Sequence, residues 1–255
     1  MILIFGLIGA LLGSFYLVIG TRLPLKDNVI TGRSRCDHCH QVLSWFELIP
    51  IFSFLFLRGN CRYCHQKIDI SHFLIEVFTS LIFLWAYLYF GLTYRLGIFL
   101  VIFSVAIIIF VSDMKYMIIL DSPLIIGSIL VLVFRYFELG LKGITYGIIY
   151  GICLFIIMLL IKKLGDFLFK KESLGGGDIK LAFLMGLTLG YPKEGIYLGL
   201  ISIIFASFLA LPYALASLYL IKKNELPFGP FLISSMIIIY IFIDKFRNIL
   251  VLFSL

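Results

Sequence analysis

Leu174-Gly175-Gly176-Gly177-Asp178-Ile179-Lys180 carries three glycines into an aspartate, and an apolar run follows at once to Gly190. Glycine has no Cβ, so it reaches backbone angles closed to other residues and lets another backbone come close. Gly175, Gly176 and Gly177 are therefore suited to hold an extended substrate or a tight turn against Asp178, with Lys180 in the same stretch. Upstream, Val111-Ser112-Asp113 closes a second apolar run with a second carboxylate. Asp113 and Asp178 read as partners at a membrane edge. Two carboxylates a few ångströms apart do not easily both ionise and so share a proton. One can then activate water while the other protonates a scissile carbonyl or a leaving amine. The simpler reading makes Asp178 the N-cap of the helix that follows.

The apolar runs place these groups in a membrane. Of 255 residues, 62% are hydrophobic and 14% charged, where soluble domains carry about 25% charged residues. Mean hydropathy is +1.12. The net charge of +7 would suggest a nucleic-acid partner in a soluble protein. Here the basic residues sit in the polar gaps, which is the positive-inside pattern. No basic-aromatic patch accompanies them, so no nucleic acid is expected. Met1 to Gly20 lacks a basic n-region and an Ala-x-Ala-like site, and reads as a retained span.

Eight runs approach spanning length, at 2–20, 73–90, 97–112, 122–140, 143–161, 179–191, 195–221 and 227–243. The sequence thus predicts an all-α polytopic membrane protein of about eight helices. With the N-terminus outside, the inner gaps 21–72, 113–121, 162–180 and 221–226 hold fifteen Lys and Arg, the outer gaps five. Both aspartates then lie on the cytoplasmic side. The span from Ile179 to Gly190 is short: at ~1.5 Å per residue it covers roughly 18 Å of a ~30 Å hydrocarbon core. Either it continues past Pro192 or it thins the bilayer locally, which would admit water for hydrolysis.

The segment 21–72 is the only sizeable polar one. Cys36, Cys39, Cys61 and Cys64 form two Cys-x-x-Cys pairs, the spacing of a four-thiolate zinc site. Cytoplasmic thiols stay reduced, a loop of this size needs extra folding energy, and four thiolates leave no open position. One structural zinc is expected. His38, His40, His65 and His72 all lie here and read as solvated loop residues. Three domains follow: the first helix at 1–20, the cysteine loop at 21–72 and a membrane core at 73–255.

Ionisable groups inside spans are functional candidates because charge is costly there. Glu76 sits one turn inside the cytoplasmic face. Arg135 and Glu138, three apart, can pair and lie near the outer end, where snorkelling is easy. Asp121 precedes Ser122-Pro123 and reads as a helix cap.

Taken in order, these pieces resemble the type IV prepilin peptidases, membrane aspartyl proteases of the Gly-x-Gly-Asp type, many of which also N-methylate their product. The resemblance is carried by Gly13-Ser14-Phe15, Arg22-Leu23-Pro24, the four cysteines, Glu47-Leu48-Ile49-Pro50 and Arg58-Gly59-Asn60-Cys61. It continues through Glu76, Asp113 with Asp121 eight residues on, Gly175 to Lys180, and Pro227-Phe228-Gly229-Pro230. It implies Asp113 and Asp178 as catalytic pair and a prepilin or pseudopilin substrate with a short basic leader before an apolar helix. It implies cleavage after a glycine at the cytoplasmic face of the inner membrane, then methyl transfer from S-adenosylmethionine to the new N-terminal amine. No Rossmann-type fingerprint is present, so a methyl-donor site would be built from the loop and helix ends; Glu47, Gly59 and Glu76 are its candidates. The competing classes are a peptidase without methyltransferase activity, a transporter using intramembrane acids, and a zinc-stabilised scaffold without chemistry.

Overall fold

The computed structural model describes residues 1–29, 33–36, 38–218 and 226–253. Lys222 and Lys223, counted above toward the orientation, and Asp37 of the first Cys-x-x-Cys pair lie outside them. Ten α-helices form among the described residues: α1 (Ile2–Arg22), α2 (Phe52–Phe56), α3 (Ile70–Phe90), α4 (Tyr94–Tyr116), α5 (Asp121–Leu139), α6 (Leu141–Phe169), α7 (Gly176–Leu189), α8 (Gly195–Ala216), α9 (Gly229–Ile241) and α10 (Ile243–Phe253). Packing divides them into two compact units, Met1–Leu92 and Thr93–Leu255. Among the described residues six helices are long and apolar enough to cross a membrane, or up to seven if α9 and α10, bent by 76°, form one span. The protein is therefore a multi-pass helical membrane protein, as the apolar runs predict.

In the first unit α1 lies along α3 on a stripe of small residues. A Cβ on Gly9 would meet the Thr79 carbonyl at 2.8 Å, and one on Gly13 the Thr79 Oγ1 at 2.9 Å. Lipid tails offer helices no hydrophobic drive to associate, so close backbone packing of this kind has to supply it. Ser80 adds an interhelical bond, its hydroxyl donating to the Gly6 carbonyl at 2.8 Å.

In the second unit α7 is the central element. It contacts α5, α6, α8 and α9, and nearly every residue from Asp178 to Leu189 is buried. Its close approach to α6 depends on glycine, since a Cβ on Gly186 would run into the backbone of Tyr150 and Gly151. The structure corrects one alternative. α7 ends at Leu189 and a new helix begins at Gly195, so the span does not continue past Pro192. Its fourteen residues cover about 21 Å.

Other boundaries move as well. α6 continues to Phe169, so Lys162 and Lys163 belong to a helix and not to a loop. The last predicted span, 227–243, begins at Gly229 and breaks at Phe242, and α10 turns away from it.

Candidate active site and metal centre

Asp113 occupies the last turn of α4. The helix stops one turn later at Met117, whose left-handed backbone (φ 54°) closes it by donating its N–H to the Asp113 carbonyl at 2.9 Å. Asp178 is the third residue of α7. Its Oδ2 accepts the Gly175 N–H at 3.2 Å, so Asp178 is not the N-cap, which is Gly175, but reaches back to that residue from the third position of the helix. That contact uses one oxygen and leaves the other over. Both carboxylates are buried, and Asp113 Oδ2 and Asp178 Oδ1 have no hydrogen-bond partner. Ile119 links them: Gly177, the residue before Asp178, and Gly229, which faces Asp113 Oδ2, both lie against it. The structure thus brings the two aspartates together at one end of the second unit.

The glycines divide by role. Gly175 is extended, and none of Gly175, Gly176 and Gly177 has a positive φ, so unusual backbone angles are not what this stretch needs. Close approach is. A Cβ on Gly177 would lie 2.5 Å from Ile119 Cβ, whereas one on Gly176 would meet nothing within 4 Å. Ile119, in the connection from α4 to α5, also touches the start of α9. A Cβ on Gly229 would meet Ile119 Cδ1 at 2.8 Å and Asp113 Oδ2 at 2.9 Å. Ile119 gave no signal in the sequence. Gly229 did, through the glycine and prolines of Pro227-Phe228-Gly229-Pro230, but only the fold shows it facing Asp113.

Asp121 differs from expectation. It begins α5, but the N-cap position is Leu120 and no side chain caps the helix. Both Asp121 oxygens instead accept from Lys180 Nζ, at 2.7 and 2.8 Å.

The opposite end of the second unit holds a charged cage. Arg135 is fully buried and pairs with Glu138 at 3.1 Å, as their spacing predicts. It does not snorkel, because its guanidinium lies over the Tyr191 ring, 4.0 Å from the centroid. The Tyr191 hydroxyl donates to Glu138 at 2.9 Å, and Arg95 joins Glu138 at 3.4 Å and Asp244 at 2.7 Å. α7 stops short, so Tyr191 falls where Arg135 would otherwise reach outward.

In the first unit the four cysteines converge, with all Sγ atoms within 4.8 Å of one another. Cys36 and Cys64 are 3.8 Å apart, Cys39 and Cys61 4.0 Å. A tetrahedral ion with Zn–S bonds of ≈ 2.3 Å needs sulfurs about 3.8 Å apart, so the cluster fits a four-thiolate metal ion. Each pair sits in the same turn. Arg35 bridges Val42 as Asn60 bridges Lys67. Cys36 donates its N–H to the Gln41 carbonyl as Cys61 does to Gln66, and left-handed His40 and His65 (φ 57° and 60°) donate back to Cys36 and Cys61. These two histidines serve the turns and lie outside the sulfur cluster. The N–H groups of Cys64 and Tyr63 hold the Cys61 thiol below its ordinary value, while burial and the neighbouring sulfurs push Cys64 up, so the cluster sheds its protons unevenly.

The three candidate methyl-donor residues have structural tasks of their own. Glu47 is buried and accepts the Ser44 N–H at 2.7 Å, while its Oε1 is buried without a partner. Glu76, also buried, accepts the Ile51 N–H at 2.7 Å and holds that residue in its left-handed conformation. Gly59 has φ +69°, and a Cβ there would press on the Phe54 ring at 3.0 Å.

Two families match the chain. Residues 7–90 match the bacterial peptidase A24 N-terminal domain, and residues 98–215 match the type IV leader peptidase family. A prepilin leader peptidase/N-methyltransferase of Bacillus subtilis (strain 168) is 30% identical over 96% of this chain and 96% of its own. One of Vibrio cholerae is 30% identical over 94% and 96%. One of Myxococcus xanthus is 32% identical over 71% of this chain and 54% of its own. No solved structure matches.

Proposed function

The chain belongs to the type IV leader peptidase family, and on that premise we propose that it removes the leader from type IV prepilins or pseudopilins with Asp113 and Asp178, and N-methylates the new N-terminus. The observation that carries the peptidase reading is the meeting of two buried carboxylates from distant helices, each with one oxygen free of partners. The dyad works with one shared proton. The ionised carboxylate takes a proton from water as the water oxygen attacks the scissile carbonyl, and the other gives its proton to the carbonyl oxygen. When the tetrahedral adduct collapses, the C–N bond breaks, the amine leaves with the dyad's proton, and a hydroxyl of the adduct gives its proton to the other carboxylate as the carbonyl reforms, so the dyad again holds one proton. The glycine-lined ground between Gly177 and Gly229 leaves room for an extended chain beside Asp113 once Ile119 yields. Gly175 and Lys180 border the same approach.

For the second step, S-adenosylmethionine supplies the methyl group to the freed amine. Glu47 supports a polar contact there through its unpartnered Oε1, with Glu76 and Gly59 shaping the surrounding loop. The ion held by Cys36, Cys39, Cys61 and Cys64 is zinc in a structural role, since four thiolates close its coordination. The 21–72 loop serves methylation and the 73–255 core cleavage. The distribution of Lys and Arg supports both aspartates facing the cytoplasm in the inner membrane.

The test is to mix purified protein with a prepilin precursor and labelled S-adenosylmethionine and follow size and label together. Asp113→Asn and Asp178→Asn should each abolish cleavage while leaving a precut substrate open to methylation. Cleavage that survives either change in a correctly inserted protein would sink the dyad.

A further inference from the structure

The end of the second unit that carries the dyad is rich in cations: Lys115, Lys162, Lys163, Lys170, Lys171 and Lys180. A substrate leader that is itself basic would be repelled there unless an acid received it. Asp113 and Asp178 are buried, Asp166 is engaged by the N–H and hydroxyl of Ser173 at 2.7 and 2.8 Å, and Glu172 is exposed but lies in the connection from α6 to α7, off the helices that hold the dyad. Asp121 is different. It is open to solvent, lies eight residues from Asp113, and is joined to Lys180, two residues from Asp178. The side chains are 57% and 52% exposed, so the pair gains little over hydration and a competing cation can replace it.

We propose that Asp121 reads the basic leader, and that Lys180 holds its carboxylate in the substrate-free enzyme and yields it to a leader Lys or Arg when the precursor docks. The inference rests on the leader-peptidase reading above. Exchange has a second consequence. The start of α5 is released from α7 two residues after Ile119, the side chain lying against Gly177 and Gly229 beside Asp113. A correctly charged leader thereby loosens the cover of the dyad, and recognition and access are coupled.

The experiment compares kcat/KM for cleavage of two precursors, one with its basic leader and one with the leader Lys and Arg replaced by Glu. Against wild type stand Asp121→Asn, Asp121→Lys and Lys180→Met. Asp121→Lys should lose about tenfold or more on the basic leader, mainly through KM, and recover most of that on the acidic one, since like charges facing each other oppose docking. Asp121→Asn should narrow the preference, and Lys180→Met should lower KM for the basic leader. If Asp121→Lys slows both precursors equally or neither, the pair is only a strut between helices and the proposal fails. A wild-type protein that cleaves neither precursor would instead remove the peptidase reading itself.

Discussion

Adjacent glycines in Gly175-Gly176-Gly177 should respond oppositely to alanine. In Gly177→Ala the new Cβ would lie 2.5 Å from Ile119 Cβ and 3.1 Å from its Cγ1 and Cδ1. Ordinary carbon contacts begin at about 3.5 Å, so the shortfall is about 1 Å. The nearest atom is a Cβ fixed to the backbone, so no rotamer relieves it; either the connection from α4 to α5 or the start of α7 must move. Overpacking costs about 1–3 kcal/mol, partly offset by up to ~1 kcal/mol from the better helix propensity of alanine. The stability loss is therefore modest. The activity loss is not, because Asp178 is the next residue and a 1 Å misplacement of reacting groups costs on the order of 10²-fold. In Gly176→Ala the new Cβ meets nothing within 4 Å, and kcat/KM should stay within about threefold of wild type, as expected away from any contact. Initial cleavage rates at subsaturating precursor, with thermal melting in detergent, separate the two effects. Ile119→Gly should restore part of the activity of Gly177→Ala, and Ile119→Ala should not, since it keeps the offending Cβ. Equal rates for the two alanine variants would refute the reasoning.

Three further outcomes are expected. Glu138→Gln leaves the buried Arg135 charge without its carboxylate and should destabilise the protein by about 3–5 kcal/mol, while Arg135→Met added to it should recover most of that; unfolding in micelles measures both. Cys36→Ser with Cys39→Ser should abolish binding of one zinc per chain, read by elemental analysis, and impair methylation more than cleavage. Zinc occupancy should fall as pH is lowered, read by elemental analysis across a pH series. Each of the four thiols must lose its proton to hold the ion, so protonation competes with the metal.

Much of this protein is legible along the chain. Composition alone sets the helices in a membrane, because no other solvent accommodates such apolar runs. The Cys-x-x-Cys pairs announce a metal cluster, because each turn is built from neighbours, from Arg35 to Val42 and from Asn60 to Lys67. Asp178 behind its glycines is likewise a local signal. Other features depend on residues that meet only after the helices pack. Ile119 has no motif, yet it lies against Gly177 and Gly229, and Gly229 lies against Asp113. Arg135 looks able to reach outward from its helix, but Tyr191 stands over it because α7 ends early. Asp121 looks like a helix cap and is instead held by Lys180 of another helix. The central place of α7 depends on which helices surround it, and its length says nothing of that. Residue type and local spacing fix solvent preference and turns, whereas close approach between distant backbones, and the burial of a charge beneath a neighbour, exist only in three dimensions.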